Sequence, residues 1–451
     1  MTSPDNEPEA MASSPDKSLS QPESGRPYYM QEIKPGKHRA GKTFWQTLRE
    51  EFYADNSFTV TLAAIVLALF LGGVLMIIGD ANVRAQWGYF FYQPLTTLEA
   101  SWDLVSQAYT DMFKGSIVDP EVLRYWYWNL PMPSGNIPTW QTALRPLSET
   151  LTNAAPLVFT GLAVAIPFRA GLFNIGGQGQ AIMGAIGGGT VGLALSLPAA
   201  LHIPLAILAG ALLGGFWGYV VGLLKAKTGA HEVIVTIMLN YIALYFLIWY
   251  IRQSFADEPT RSDLISKPAK ETALFPKIFD DSLRVNLGIV LAILAAAGVA
   301  WMLKRGTFGF ELRAVGYNPN AASTAGIKVG ATLALTMALA GALAGLGGTT
   351  MVLGTAQNLT GEVVGQIGFN GILVALLGRV KPWGVVGAAL LFGALQAGGA
   401  AMQTFSGISN ELVTVIQAMI VIFVAAPLLV KAIFRLRRSP VAAAQAALAK
   451  G

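Results

Sequence analysis

The sequence predicts an all-α integral membrane protein of about ten transmembrane helices, arranged as two inverted halves of about five helices each. Three observations predict it. The chain has 451 residues, 53% hydrophobic and only 13% charged, with a mean hydropathy of +0.51, which is too apolar for a soluble enzyme of this size. Apolar runs long enough to cross about 30 Å of hydrocarbon recur along it. When those runs are threaded back and forth, each strongly basic short loop lands on the same side, as cytoplasmic loops do.

The same composition excludes several function classes. The net charge of +5 and pI near 9.2 come from basic residues at loop ends, so no nucleic-acid partner is called for. With no cysteine there is no disulfide, thiolate metal site or thiol nucleophile. His38, His202 and His231 stand too far apart in sequence for a metal cluster.

In chain order, residues 1–44 are rich in Ser, Pro, Glu and Lys without apolar periodicity and read as a disordered cytoplasmic tail. Within it, Gly36 to Thr43 fits the phosphate-loop pattern GxxxxGK[ST]. The pattern needs a buried strand ahead of it to aim backbone N–H groups at phosphate, and Tyr28 to Pro35 is no such strand. Residues 45–451 form the membrane domain. Its first span is Phe58 to Ile78, with Lys34, Lys37, Arg39, Lys42 and Arg49 before it, which puts the N-terminus inside. Residues 79–150 are polar and dense in aromatics, among them Trp87, Tyr92, Trp102, Trp126 and Trp140, and suit an external amphipathic segment.

The later spans are Leu151–Phe168, interrupted by Pro156 and Pro167, then Ile175–Leu197, Pro204–Leu224 and Val233–Ile251. After a charged external loop come Leu287–Leu303, a cytoplasmic loop at 304–328, and Val329–Leu353. Phe369–Leu377 is too short to cross alone; Trp383–Met402 and Leu412–Val430 complete the set, the last ahead of Lys431, Arg435, Arg437 and Arg438, so both termini lie inside. Gly210, Gly214, Gly218 and Gly222 make one small-residue stripe down a helix, and Gly341 and Gly345 repeat the device, which lets helix backbones approach. Phe173-Asn174 and Phe369-Asn370 each open a short apolar run, a faint echo between the two halves.

Phe168 to Gly189 is apolar and glycine-dense but carries Asn174, Gln178 and Gln180 near its start. Such amides either hydrogen-bond neighbouring helices or line a path through a broken helix. Polarity at the helix interruptions marks Phe173, Asn174, Gln178, Gln180, Asn240, Phe369 and Asn370 as the candidate substrate path. In the cytoplasmic loop, Asn318 is placed to cap a short helix with Pro319 in its first turn and small residues behind. That helix either docks in a partner's cleft or is a simple structured loop.

The spans hold no Asp, Glu, Lys or Arg near a bilayer midplane. An ion-driven secondary carrier, the main alternative from another class, holds a carboxylate there, and a membrane enzyme needs facing acid–base or metal-binding groups. Neither arrangement is visible, so no catalytic residue and no metal ligand is assigned. Uphill transport then draws its energy from another subunit.

Three motifs carry a family resemblance: Phe168 to Gln180 (FRAGLFNIGGQGQ), His231 to Ala243 (HEVIVTIMLNYIA), and Leu312 to Ala322 (LRAVGYNPNAA) with Gly326-Ile327. In this order they resemble the permease subunits of bacterial ATP-binding-cassette importers of the ribose, branched-chain amino acid and nucleoside class, the second motif resembling the nucleoside type. The resemblance spans roughly Leu151 to Val430. The chain departs from it where Gln178 stands at a position often acidic, in a longer external stretch from Asp119 to Gln141, and in the tail before Thr43.

The resemblance implies a multi-pass permease of the bacterial inner membrane that imports nucleosides, or alternatively ribose-like sugars or branched-chain amino acids. It implies a second related permease, a cytoplasmic ATPase that holds the ATP and magnesium, and an extracytoplasmic solute-binding protein, with no cofactor on this chain. It makes 304–328 the loop that couples to the ATPase, through Arg313, Asn318, Pro319, Ala322 and Gly326.

Overall fold

The computed structural model describes residues 57–128, 139–253, 256, 258, 262–279 and 281–434, all within one compact unit. The tail at 1–44, its phosphate-loop look-alike, and Arg435, Arg437 and Arg438 lie outside the described residues. The described secondary structure is helical, with only two isolated β-bridges, Ile265–Thr360 and Lys277–Asn286.

The helices are α1 (Ser57–Gly79), α2 (Ala81–Trp87), α3 (Pro94–Ser116), α4 (Pro120–Trp128), α5 (Trp140–Arg169), α6 (Gly177–Ala194), α7 (Ala199–Thr228) and α8 (Glu232–Ile251). After a loop come α9 (Leu287–Arg305), α10 (Thr307–Tyr317), α11 (Pro319–Thr324), α12 (Val329–Met351), α13 (Ile367–Leu377), α14 (Pro382–Ser406), α15 (Glu411–Ala425) and α16 (Pro427–Phe434). Seven are long and apolar enough to cross a membrane: α1, α5, α7, α8, α9, α12 with its π-helical extension to Ala356, and α14. The pair α15 and α16 makes an eighth if taken together. The chain is a multi-pass, all-helical membrane protein.

Four segments differ from the sequence expectation. Ile175–Leu197 forms only the 18-residue α6, and its glycines and two glutamines leave it outside the set long and apolar enough to cross. The run Leu412–Val430 is not one straight span: α15 and α16 meet at 90° across Ala426, because Pro427 has no N–H for the helix ladder and pushes the residue before it out of helical geometry. Conversely, Pro156 and Pro167 do not interrupt α5, which runs for 30 residues through both and begins at Trp140, not Leu151. Segment 79–150 holds three further helices; α3 buries Ala108 and Asp111 and packs along α14 and α1.

Small residues decide the packing. α12 lies against α6 and α7 backbone to backbone: a Cβ on Gly214 would sit 2.5 Å from the Gly341 carbonyl oxygen, and one on Gly345 2.5 Å from that of Gly210. The stripes seen in the sequence therefore face each other. α5 packs the same way on α13 and α14, where a Cβ on Gly371 would stand 2.7 Å from Thr160, and one on Gly393 2.6 Å from the Thr150 carbonyl oxygen. α5 and α12 also pack on each other and form the centre of the bundle.

Candidate functional site

α5 ends at Arg169, and helix does not resume until Gly177. Gly171 turns the chain with a φ of +75°, a conformation that a residue with a Cβ adopts at a cost. Leu172 to Ile175 then runs without helical structure through the interior. Such a break strands backbone donors and acceptors, and hydrocarbon supplies no water to satisfy them.

Amide side chains take their place. The fully buried Asn174 donates from Nδ2 to the Ala163 carbonyl (3.1 Å) and to Gln180 Oε1 (2.9 Å). Its Oδ1 accepts from Gly176 N–H (3.1 Å) and from Gln180 Nε2 (3.2 Å). Asn240, on α8, accepts from Gly179 N–H (2.8 Å) and donates to the Ile175 carbonyl (3.1 Å). Gln178 reaches across to the other half of the chain, donating to the Gly365 carbonyl (2.6 Å) and accepting from Gly368 N–H (3.0 Å). It thereby joins the start of α6 to the start of α13.

Asn174, Gln178, Gln180 and Asn240 therefore gather around the broken helix, Asn174 and Gln180 bonded to each other and Asn240 and Gln178 to backbone groups. Phe173 lies next to it, edge-on to Phe168 with ring centroids 5.9 Å apart. Phe369 is exposed, and Asn370 faces a separate large cavity. The Phe-Asn echo does not mark equivalent places: Asn174 precedes the first residue of α6, whereas Asn370 lies inside the first turns of α13.

That cavity, about 1260 Å³, opens between α3, α4, α5, α13, α14 and α15. Gly365 lines it, so it abuts the junction that Gln178 closes. Two ion pairs stand on its wall, Lys114–Glu121 (2.8 Å) and Arg284–Glu149 (2.9 Å). The hydrogen bond that the Lys114 ammonium donates to the Glu121 carboxylate holds its pKa above the usual value. Asn153, Gln396 and Gln417 also line it; they stand in mid-helix, outside the three motifs and away from the helix interruptions, so the sequence does not single them out.

On the far side of the break lies the 304–328 loop. Asn318 caps α11, accepting from Asn320 N–H (3.0 Å) and Ala321 N–H (3.1 Å), with Pro319 the first helical residue, as the sequence predicts. Ala322 is buried, and Gly326 has a φ of +86° with open space around it. Arg313 does not point outward: its guanidinium donates to the Leu303 carbonyl at the end of α9. Gly316 lies against the Arg169 carbonyl, with no room for a Cβ. Arg169 in turn donates from Nε (3.0 Å) and Nη2 (2.8 Å) to the Val380 carbonyl. Val380 has a φ of +57°, rare for a β-branched residue, and the guanidinium fork helps hold it there. Arg169, read from sequence as the end of a span and part of the first motif, thus bridges the loop and the α13–α14 turn.

Comparison with known proteins bears on this geometry. Residues 147–425 match the family model of the branched-chain amino acid transport system permease component. The chain belongs to that family. The permease is 41% identical over 281 residues to the guanosine ABC transporter permease protein of Bacillus subtilis, covering 62% of this chain and 80% of the relative. It is 39% identical over 297 residues to the nucleoside ABC transporter permease protein of Lactococcus lactis, covering 64% and 81%. It is 32% identical over 289 residues to the glucose ABC transporter permease protein of Haloferax volcanii, covering 61% and 75%. The matched region holds the whole amide cluster and the capped loop, whereas α1 to α4 precede it.

Proposed function

We propose that this permease is the membrane-spanning subunit of an ATP-driven importer of nucleosides. One observation carries the substrate class: relatives 39% and 41% identical bear nucleoside and guanosine names. The site chemistry agrees with it. Along the broken helix, from Leu172 to Gln180, the polar side chains are neutral amides beside aromatic rings, which suit hydroxyls and bases, and the charge at its edge, Arg169, is engaged by the Val380 carbonyl. A sugar is the second reading, favoured by the glucose-named relative.

The energy comes from elsewhere. Ionised side chains on the described spans sit toward their ends: Arg145, Glu149 and Arg169 on α5, Lys225 and Lys227 on α7, Glu232 on α8. An ATPase that holds ATP and magnesium docks on the cytoplasmic side at α11, a sibling permease completes the pore, and a binding protein delivers solute outside. Both termini lie in the cytoplasm of a bacterial inner-membrane protein. The path runs by Phe173, Gln178, Phe369 and Asn370, with Asn174, Gln180 and Asn240 as its buried frame. The coupling residues are Asn318, Pro319, Ala322 and Gly326, with Arg313 securing the loop to α9.

The ten-span, two-halves layout is part of this reading. Its support is the exchange of partners: α12 packs on α6 and α7 as α5 packs on α13 and α14. Closure of the ATPase displaces α11 and α10. Gly316 passes the displacement to Arg169, and Arg169 passes it both to the start of the break and to Val380. Both half-helices are then reached by one rigid-body shift.

The test is uptake of labelled guanosine in cells carrying the chain with its neighbouring ATPase, sibling permease and binding protein. Saturable, ATP-dependent uptake is expected. Uptake by the purified chain alone in liposomes under an ion gradient would sink the proposal. For coupling, Tyr317→Ala changes a side chain that is 91% exposed beside α11. Solute-stimulated ATP hydrolysis is expected to fall while the melting temperature holds.

A further inference from the structure

Two groups of amides stand out in this bundle. Asn174, Gln178, Gln180 and Asn240 are bonded within the protein. Asn153, Asn370, Gln396 and Gln417 line the large cavity beside them and make no side-chain hydrogen bond among the described residues. Gln417 is the sharpest case. It is 2% exposed, and its Nε2 is fully buried with no acceptor in reach. An unmet donor inside a membrane bundle weakens the fold, and such groups persist where something else uses them.

We infer that this cavity, inside one permease subunit, is a holding station for a neutral, planar solute with carbonyl and N–H groups on its edge, a nucleobase attached to its sugar. The inference rests on the nucleoside reading above. Each primary amide presents a donor and an acceptor side by side, the pattern that a base edge complements. Four such groups come from four helices: Asn153 from α5, Asn370 from α13, Gln396 from α14 and Gln417 from α15. Val364, Ile367, Val413 and Met351 supply the apolar surface for the ring faces. Lys114, Arg145 and Arg284 share the wall with Asp111, Asp119, Glu121 and Glu149, and Lys114 and Arg284 are paired with Glu121 and Glu149, so the wall carries no excess of positive charge to draw a phosphate. The volume of about 1260 Å³ exceeds what one nucleoside needs, so the solute shares the space with water. α3 and α4, which precede the family-matched region, form one wall.

The test compares Gln417→Leu and Asn153→Leu with the wild type in the complete transporter, measuring guanosine uptake against concentration. It also measures the melting temperature of each purified full-length chain. A rise in KM of about tenfold or more is expected for each variant. For Gln417→Leu the melting temperature is expected to hold or rise, because leucine removes an unmet donor. A structural role for Gln417 predicts the reverse, a lower melting temperature with unchanged KM. Wild-type guanosine uptake with KM unchanged in both variants overturns the station and leaves the nucleoside reading standing. No wild-type uptake of any nucleoside overturns the nucleoside reading, and the station's ligand with it.

Discussion

Gln178 and Gly368 share a hydrogen bond of 3.0 Å between side-chain oxygen and backbone N–H, although 190 residues separate them. Through it the first turn of one short helix supplies the acceptor that the first turn of the other lacks. The contact is close enough that Gly368 has no room for a Cβ against the Gln178 backbone.

Gly368→Ala is therefore expected to force the two helix starts apart. The obstructing atoms are backbone and cannot rotate away, so the cost falls at or above the usual overpacking range of about 1–3 kcal/mol. A melting curve in detergent and an uptake assay check it; wild-type values in both would show that the junction yields.

Asn174 and Gln180 exchange two hydrogen bonds in full burial. Asn174→Ala strands the Gln180 amide and the Gly176 N–H, at about 1–3 kcal/mol for each group left unmet. In a double-mutant cycle with Gln180→Ala, the pair is expected to couple by about 0.5–3 kcal/mol. Independent effects that simply add would contradict the geometry.

The glycine stripe makes a paired prediction. Gly218→Ala pushes a methyl into the Met337 carbonyl of α12 and is expected to abolish stable expression. Gly298→Ala, in α9, meets nothing within 4 Å and is expected to hold or gain up to about 1 kcal/mol from helix propensity. Equal losses for the two would mean that backbone approach is not what the stripe provides.

Arg169→Lys keeps the charge but loses the two-pronged bond to the Val380 carbonyl. The expected loss is about 1.5–3 kcal/mol of stability, the worth of a hydrogen bond that involves a charged group. Solute-stimulated ATP hydrolysis is expected to separate from transport in the same variant, since the loop and the α13–α14 turn lose their shared anchor. Tight coupling in Arg169→Lys would remove Arg169 from the transmission route.

Much of this was legible in the residues. Long apolar runs require helices wherever the backbone has no water to bond, so the membrane class and most helix positions follow from composition and hydropathy. Asn318 ahead of Pro319 encodes its own cap, because all the atoms involved lie within four residues. The facing glycine stripes could be read as close-packing surfaces, though not which helix each would meet. Pro427 was a local signal for the bend after α15 that apolarity alone obscured.

The chain by itself determined that it would be a helical membrane protein with polar amides at its interruptions. Only the tertiary structure decided which amides are satisfied and which remain open. Gln178 finds its partners 187 and 190 residues away, while Gln417 finds none within reach of its donor. The amide group is the same in both; what differs is whether another stretch of backbone passes within about 3 Å, and that distance is set by how distant helices pack.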